Sequence, residues 1–167
     1  MTDSEWHVAY IAGLVDNHCG IVVTVGKDTD RAIGYRVGVE CRIKLRSEES
    51  VELLTEFCDD AGIAYRTKTK ADHTYDGYEL VIGRRSAIKE FLERVQPYLV
   101  ARESAVELLC STIIPRLEAG DHRERASFLD LMIDIETFRE QVGRANRAKY
   151  DLEYFHEEWD IDPAASN

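Results

Sequence analysis

The sequence predicts an α+β fold with elements in the order αββαββαα, in which helices cover an antiparallel sheet. Two strand pairs with turn residues between their arms carry this expectation. Amphipathic helical segments stand before, between and after those pairs, so the helix-strand-strand order occurs twice.

Thr2-Asp3-Ser4-Glu5 offers a capping box ahead of a mostly apolar run from Trp6 to Val15, which predicts the first helix. Ala9, Ala12 and Gly13 are small and adjoin on it, which suits either a core helix or close approach of a second helix. Ile21 to Val25 is β-branched, Gly26 to Asp30 has turn chemistry, and a second run extends from Tyr35 to Leu45. Along it Val37, Val39, Cys41 and Ile43 alternate with Arg36, Gly38, Glu40, Arg42 and Lys44, giving one apolar and one polar, mainly basic face.

Ser47 is placed to cap a helix to Asp60, which Gly62 stops. A second hairpin follows, with arms Ile63 to Thr69 and Tyr75 to Ile82 joined near Lys70 to Thr74. Its first arm carries Arg66, Lys68 and Lys70, and alternation alone leaves open which side of it is buried. Ser86 is the expected cap of a helix bearing Ile88, Phe91, Leu92 and Val95, which Gln96-Pro97 should interrupt. Arg102 to Leu117 and Glu124 to Val142 are two further amphipathic helices over the sheet. Residues 1–150 are expected as one domain and 151–167 as an acidic tail of partial order.

The chain has 167 residues, 44% of them hydrophobic and 32% charged, enough for one sizeable core. No apolar run is long enough for a membrane span and no signal-peptide pattern opens the sequence, so a cytoplasmic protein without a membrane partner is expected. Four scattered cysteines lack zinc-site spacing and are expected as buried free thiols. The formal charge of −11 is the wrong sign for a generic nucleic-acid binder. It suits either a halophile-like protein of a salty cytoplasm or one that never meets nucleic acid. Yet residues 31–46 hold five basic side chains against one acid, Glu40, so positive charge is concentrated locally.

Ile11-Ala12-Gly13-Leu14-Val15-Asp16-Asn17-His18-Cys19-Gly20, the segment Gln96-Pro97-Tyr98-Leu99, and Arg102 five residues past the proline carry a family likeness. In this element order the chain resembles the single-motif, homodimeric LAGLIDADG homing endonucleases, from Trp6 to Gln141. The resemblance implies a saddle-shaped sheet on double-stranded DNA. It also implies a dimer seam at Ala9, Ala12 and Gly13, and Mg²⁺ or another divalent cation held by the last acid of each motif if the protein is active.

His18 stands where that acid belongs, and slipping the alignment by one puts Cys19 there, again with no carboxylate. Asp16, the other possible metal ligand, lies about 200° around the helix. Leu45 occupies the position of a family polar residue, while Arg102 keeps the positive charge usually supplied by Lys. Implied DNA contacts are Arg36, Glu40, Arg42, Lys44, Arg46, Arg66, Lys68 and Lys70. His18 is read first as a remnant of decayed catalysis, with general base or ligand of a softer metal as alternatives. The expected function is duplex binding by a homodimer whose endonuclease activity is weak or lost, so enzyme status stays undecided. A non-cleaving DNA regulator, an intron RNA splicing maturase and a protein interaction module are the alternatives.

Overall fold

The computed structural model describes residues 3–71, 76–143 and 148–161. Helix α1 (Asp3–His18) passes without a loop into β1 (Cys19–Lys27), which turns into β2 (Tyr35–Leu45). Helix α2 (Glu48–Asp60) leads to β3 (Arg66–Ala71) and β4 (Asp76–Ile82). Then come α3 (Arg85–Val95), a 3₁₀ turn (Gln96–Tyr98), α4 (Glu103–Leu108), a π turn (Leu109–Ile113) and α5 (Ile114–Ala119). A second 3₁₀ turn (Asp121–Arg123), α6 (Arg125–Gln141) and α7 (Leu152–Glu158) complete the described chain. The order is the αββαββ predicted, followed by helices. No described helix is long and apolar enough to cross a membrane.

The four strands form one antiparallel sheet in the order β1-β2-β4-β3. Its burial is one-sided, which is why β2 alternates so cleanly: Tyr35, Val37, Val39, Cys41, Ile43 and Leu45 are buried, while Arg36, Arg42 and Lys44 are exposed. On the apolar side, Ile11 and Val15 of α1 join one core with Ile88, Phe91 and Leu92 of α3. Val106, Leu109 and Ile113 belong to it, as do Phe128, Leu131, Met132, Ile135 and Phe138 of α6. All four cysteines are free and buried in that core.

Ser47 caps α2 as expected, its hydroxyl accepting from the Ser50 amide at 3.1 Å. Helix α3 does not use Ser86 as its cap: it starts two residues earlier, at Arg85 behind Arg84, whose backbone is extended and whose side chain makes no capping bond. Gln96-Pro97 ends α3 where predicted. The rod from α4 to α5 contains Pro115, which lacks an N–H and would press its ring on the carbonyl four residues back. The preceding π turn widens the helix at that place, an adjustment suited to such a clash.

The second hairpin runs Arg66–Ala71 and Asp76–Ile82, so β3 begins three residues later than expected and takes in Lys70 and Ala71 of the predicted connection, whose remainder lies outside the described residues. So does Thr2 of the predicted capping box. The segment from Asp151 departs most from expectation. Residues 152–158 form α7, capped by the Asp151 carboxylate accepting from the Tyr154 amide at 2.8 Å. Phe155 is fully buried against Tyr35 and Phe128, each at a centroid distance of 4.8 Å. The aromatic residues among the acids make this segment part of the core. Residues 162–167 lie outside the described chain.

Candidate nucleic-acid interface

Strand register decides which side chains share the uncovered face. Gly20 pairs with Arg42, Val22 with Glu40, Thr24 with Gly38 and Gly26 with Arg36. On the other side of β2, Arg42 pairs with Val81 and Lys44 with Glu79 of β4. Those same two β4 residues pair outward with Arg66 and Lys68 of β3. Residues directly opposite in an antiparallel ladder lie on one face. Arg36, Arg42, Lys44, Arg66 and Lys68 therefore stand together on the open side of the sheet, and all are exposed. Lys70 holds the same-face register position opposite Gly77; its side chain is outside the described residues.

The β1 positions facing these cations are small, which leaves a groove of about 430 Å³ lined by Gly20, Val22, Thr24, Gly38, Arg42 and Lys44, with Glu40 and Glu79. Gly38 is needed there, because a Cβ would fall 2.8 Å from the Thr24 hydroxyl. Glu40 sits between two guanidiniums. Arg42 donates a short hydrogen bond to it, and Arg66 Nη2 lies 3.9 Å from its other oxygen. The Glu40 bond holds the Arg42 guanidinium above its ordinary pKa, opposed by partial desolvation and helped by Glu79. Glu79 is 1% exposed, with Arg42 Nη1 at 3.9 Å, so a buried carboxylate underlies the cationic surface. Sequence reading missed it because a lone Glu in an apolar strand gains meaning only through register.

At one end of this face α1 stops. His18 is its last residue and is exposed, while Cys19 is 2% exposed and begins β1 inside the core. The slipped alignment thus places a core thiol, not a site residue, at the motif's acid position. Asp16 is already engaged: Oδ2 accepts from the Val100 amide at 2.9 Å and Oδ1 from the Arg102 amide at 3.1 Å. Arg102 Nε donates in return to the Asp16 carbonyl at 3.1 Å. The motif aspartate and Arg102 therefore form a clamp between the end of α1 and the turn before α4.

Two expected site positions fall elsewhere. Leu45 is 3% exposed, pointing with Ile43 and Cys41 into the core, so it cannot order water at an open site. The next residue, Arg46, is exposed just beyond the end of β2. Ala12 is fully buried within the subunit, and Ala9 half-buried, so neither heads an outer seam. The exposed stripe of α1 is Trp6, Tyr10, Gly13 and Asn17, at helical spacings of four, three and four. Trp6 is 54% and Tyr10 38% exposed, their rings stacked at 5.7 Å, and Gly13 faces open space. Tyr98 and Val100, also exposed, lie on the turn that α1 holds through Asp16.

A hard divalent cation needs several oxygen ligands. Both Asp16 oxygens accept backbone amides, His18 offers an imidazole, and no group of three His, Cys, Asp or Glu side chains with metal-site geometry occurs among the described residues. The donor set among the described residues does not fit Mg²⁺.

No protein-family model and no curated protein matches the sequence. Solved structures do. I-Vdi141I, an archaeal intron-encoded homing endonuclease complexed with DNA, is 18% identical over 96% of this chain and 100% of its own, with a TM-score of 0.75. The homing endonuclease I-CvuI in complex with its target is 18% identical over 92% of each chain, with a TM-score of 0.72. I-SmaMI, a LAGLIDADG homing endonuclease bound to cleaved DNA, is 13% identical with a TM-score of 0.65, covering 92% of this chain but 47% of its own. With the strand order, the loopless passage from α1 to β1 and the one-sided sheet, these likenesses establish that the chain has the LAGLIDADG homing endonuclease fold.

Proposed function

We propose that two copies of this chain pair through the exposed stripe of α1 and bind double-stranded DNA across their two cationic sheet faces, with cleavage weak or lost. The observation that carries this is the gathering of Arg36, Arg42, Lys44, Arg66 and Lys68 on the uncovered face of a protein whose net charge is −11. A polyanion is repelled by most of this surface and attracted by that one face, so charge placement orients the encounter. A two-stranded ribbon fits the major groove, where Arg and Lys reach phosphates and guanine edges. I-Vdi141I and I-CvuI were solved with DNA, and both match nearly their whole length to this chain. I-SmaMI is matched over 47% of its length, as expected if this chain supplies one of two equivalent halves.

Cleavage is the weaker function because His18 offers an imidazole where the family's hard metal needs a carboxylate, and Asp16 is spent on backbone amides. Arg102 retains a cation beside the end of α1 but supplies no metal ligand. Duplex affinity measured by fluorescence anisotropy across a salt series, for the native chain and for Arg42→Glu with Lys44→Glu, tests the binding claim. The double variant should bind far more weakly, and an unchanged affinity and salt slope would remove DNA from the account. Incubation with duplex and Mg²⁺ or Mn²⁺ tests the second claim, since efficient cutting by the native chain contradicts it. Sedimentation of Trp6→Glu with Tyr10→Glu should show monomers where the native chain shows dimers.

A further inference from the structure

We infer that Glu79 is a positioning residue of the cationic face: buried beneath it, the carboxylate fixes the Arg42 guanidinium for reading a base pair, and so raises sequence discrimination while lowering the general attraction for DNA. The inference rests on the duplex binding proposed above and concerns how that face selects among duplexes. Register places the acid. Glu79 pairs with Lys44 of β2 on one side and Lys68 of β3 on the other, and Val81, two residues on, pairs with Arg42 and Arg66. Glu79 and Val81 therefore stand on the open side of the sheet, inside a square of four exposed cations. Yet each is only 1% exposed. On a side that the helices leave uncovered, such burial comes from the stems of the flanking basic side chains.

Arg42 is held at two corners. It stands opposite Val81, but its Nη1 lies 3.9 Å from Glu79 Oε1, so the guanidinium leans diagonally across β4 to the acid. Its Nε donates to Glu40 on the same strand face. With those two contacts the plane of the guanidinium is set before any ligand arrives, while the side chain stays 49% exposed. Nη2 and the outer hydrogens remain available to donate as a pair to O6 and N7 of a guanine in the major groove. Lys44 and Lys68 flank the same carboxylate, but an ammonium is a point charge with no plane to fix, so discrimination runs through Arg42.

An anion under a DNA-binding face opposes binding, because it repels phosphates and must itself be stripped of water. That cost falls on every duplex alike. An arginine gripping a base loses rotamer freedom, and one already fixed loses less. This gain acts only where the base presents acceptors to the fixed plane. A mismatched pair leaves the same donors without partners and cannot recruit them by a swing of the side chain. The two effects have opposite signs, which separates a positioning role for Glu79 from simple support of the fold.

The test uses the full chain and a pool of duplexes with a randomised central stretch, from which the native protein enriches a preferred duplex. Affinities for that duplex and for an unselected one, at one salt concentration, are measured for the native chain, Glu79→Gln, Arg42→Gln and the double variant. Glu79→Gln keeps the side-chain length, and Glu79→Met takes its place if the amide lowers the urea midpoint. Glu79→Gln should bind the unselected duplex several-fold more tightly, and the ratio of the two affinities should fall about tenfold, within the worth of one bidentate base contact. With Arg42 already replaced, removing Glu79 should leave the ratio unchanged. Equal tightening on both duplexes, or a fall in the ratio that persists without Arg42, overturns the positioning role. So does a loss of both affinities with a lower urea midpoint in both Glu79 variants, which assigns the acid to the fold alone. A native chain that shows no preference overturns the inference and leaves duplex binding standing, whereas one that binds neither duplex overturns the proposed function itself.

Discussion

Replacing Asp16 by Asn separates a structural clamp from a metal ligand. The carboxylate accepts two backbone amides, Val100 N at 2.9 Å and Arg102 N at 3.1 Å. Asparagine presents one acceptor oxygen, so its NH₂ group must oppose one of those amides. Hydrogen bonds to charged groups contribute about 1.5–3 kcal/mol each when protected, but Val100 is 86% exposed and water replaces part of the loss. The net cost should be about 1–2 kcal/mol, which for a domain of this size lowers Tm by about 2–8 °C. Asp16→Ala, which loses both acceptors, should cost more. Thermal and urea denaturation, each with and without Mg²⁺, provide the assay. If Asp16→Asn keeps native stability and instead abolishes a Mg²⁺-dependent rise in Tm, Asp16 is a metal ligand and the clamp reasoning is refuted.

Phe155→Ala should cost about 3–5 kcal/mol in urea denaturation, as for a fully buried aromatic, whereas a cost near zero would mean that α7 is peripheral. Glu40→Gln removes the carboxylate between Arg42 and Arg66, so duplex binding at low salt should tighten several-fold; a loss would mean that Glu40 itself reads the DNA. His18→Asp places an anion at the C-terminus of α1 and should lower stability by about 0.3–1 kcal/mol without metal. Added Mg²⁺ should reverse that loss if the new carboxylates can gather an ion, and calorimetry reads it directly. Burial pushes the thiols of Cys58 and Cys110 up from 9.0 to about 12, so the folded chain keeps protons that the unfolded chain releases. Their contribution is complete below the ordinary value of 9.0 and is lost as pH rises through about 12, so urea midpoints should fall over that window.

The polar and apolar faces of β2 were readable because a sheet covered on one side imposes a period of two on every residue from Tyr35 to Leu45. The same logic gave no answer for β3. Thr67 and Thr69 are exposed as well as Arg66 and Lys68, and only pairing with β4 assigns the cations to the open face. Helix α7 was hidden by its acidity, since the partners that bury Phe155 are Tyr35 and Phe128, distant in sequence. The motif marked the end of α1 correctly but not its outward side. Small residues suit close packing equally well inside a subunit and between two, and Ala12 turned out to serve the interior. Leu45 faces the core and its neighbour Arg46 the solvent, because in a strand one residue exchanges the two sides.

The absence of any loop between His18 and Cys19 makes the junction intolerant of insertion. A single extra residue there would turn β1 over relative to its neighbours, setting Gly20 and Thr24 toward the core and Ile21 and Val23 toward water, unless the whole ladder with β2 slipped to compensate. The pitch of the ribbon against the first helix is therefore written into one peptide bond, and variation in what the surface grips must arise from side-chain exchange rather than from added length.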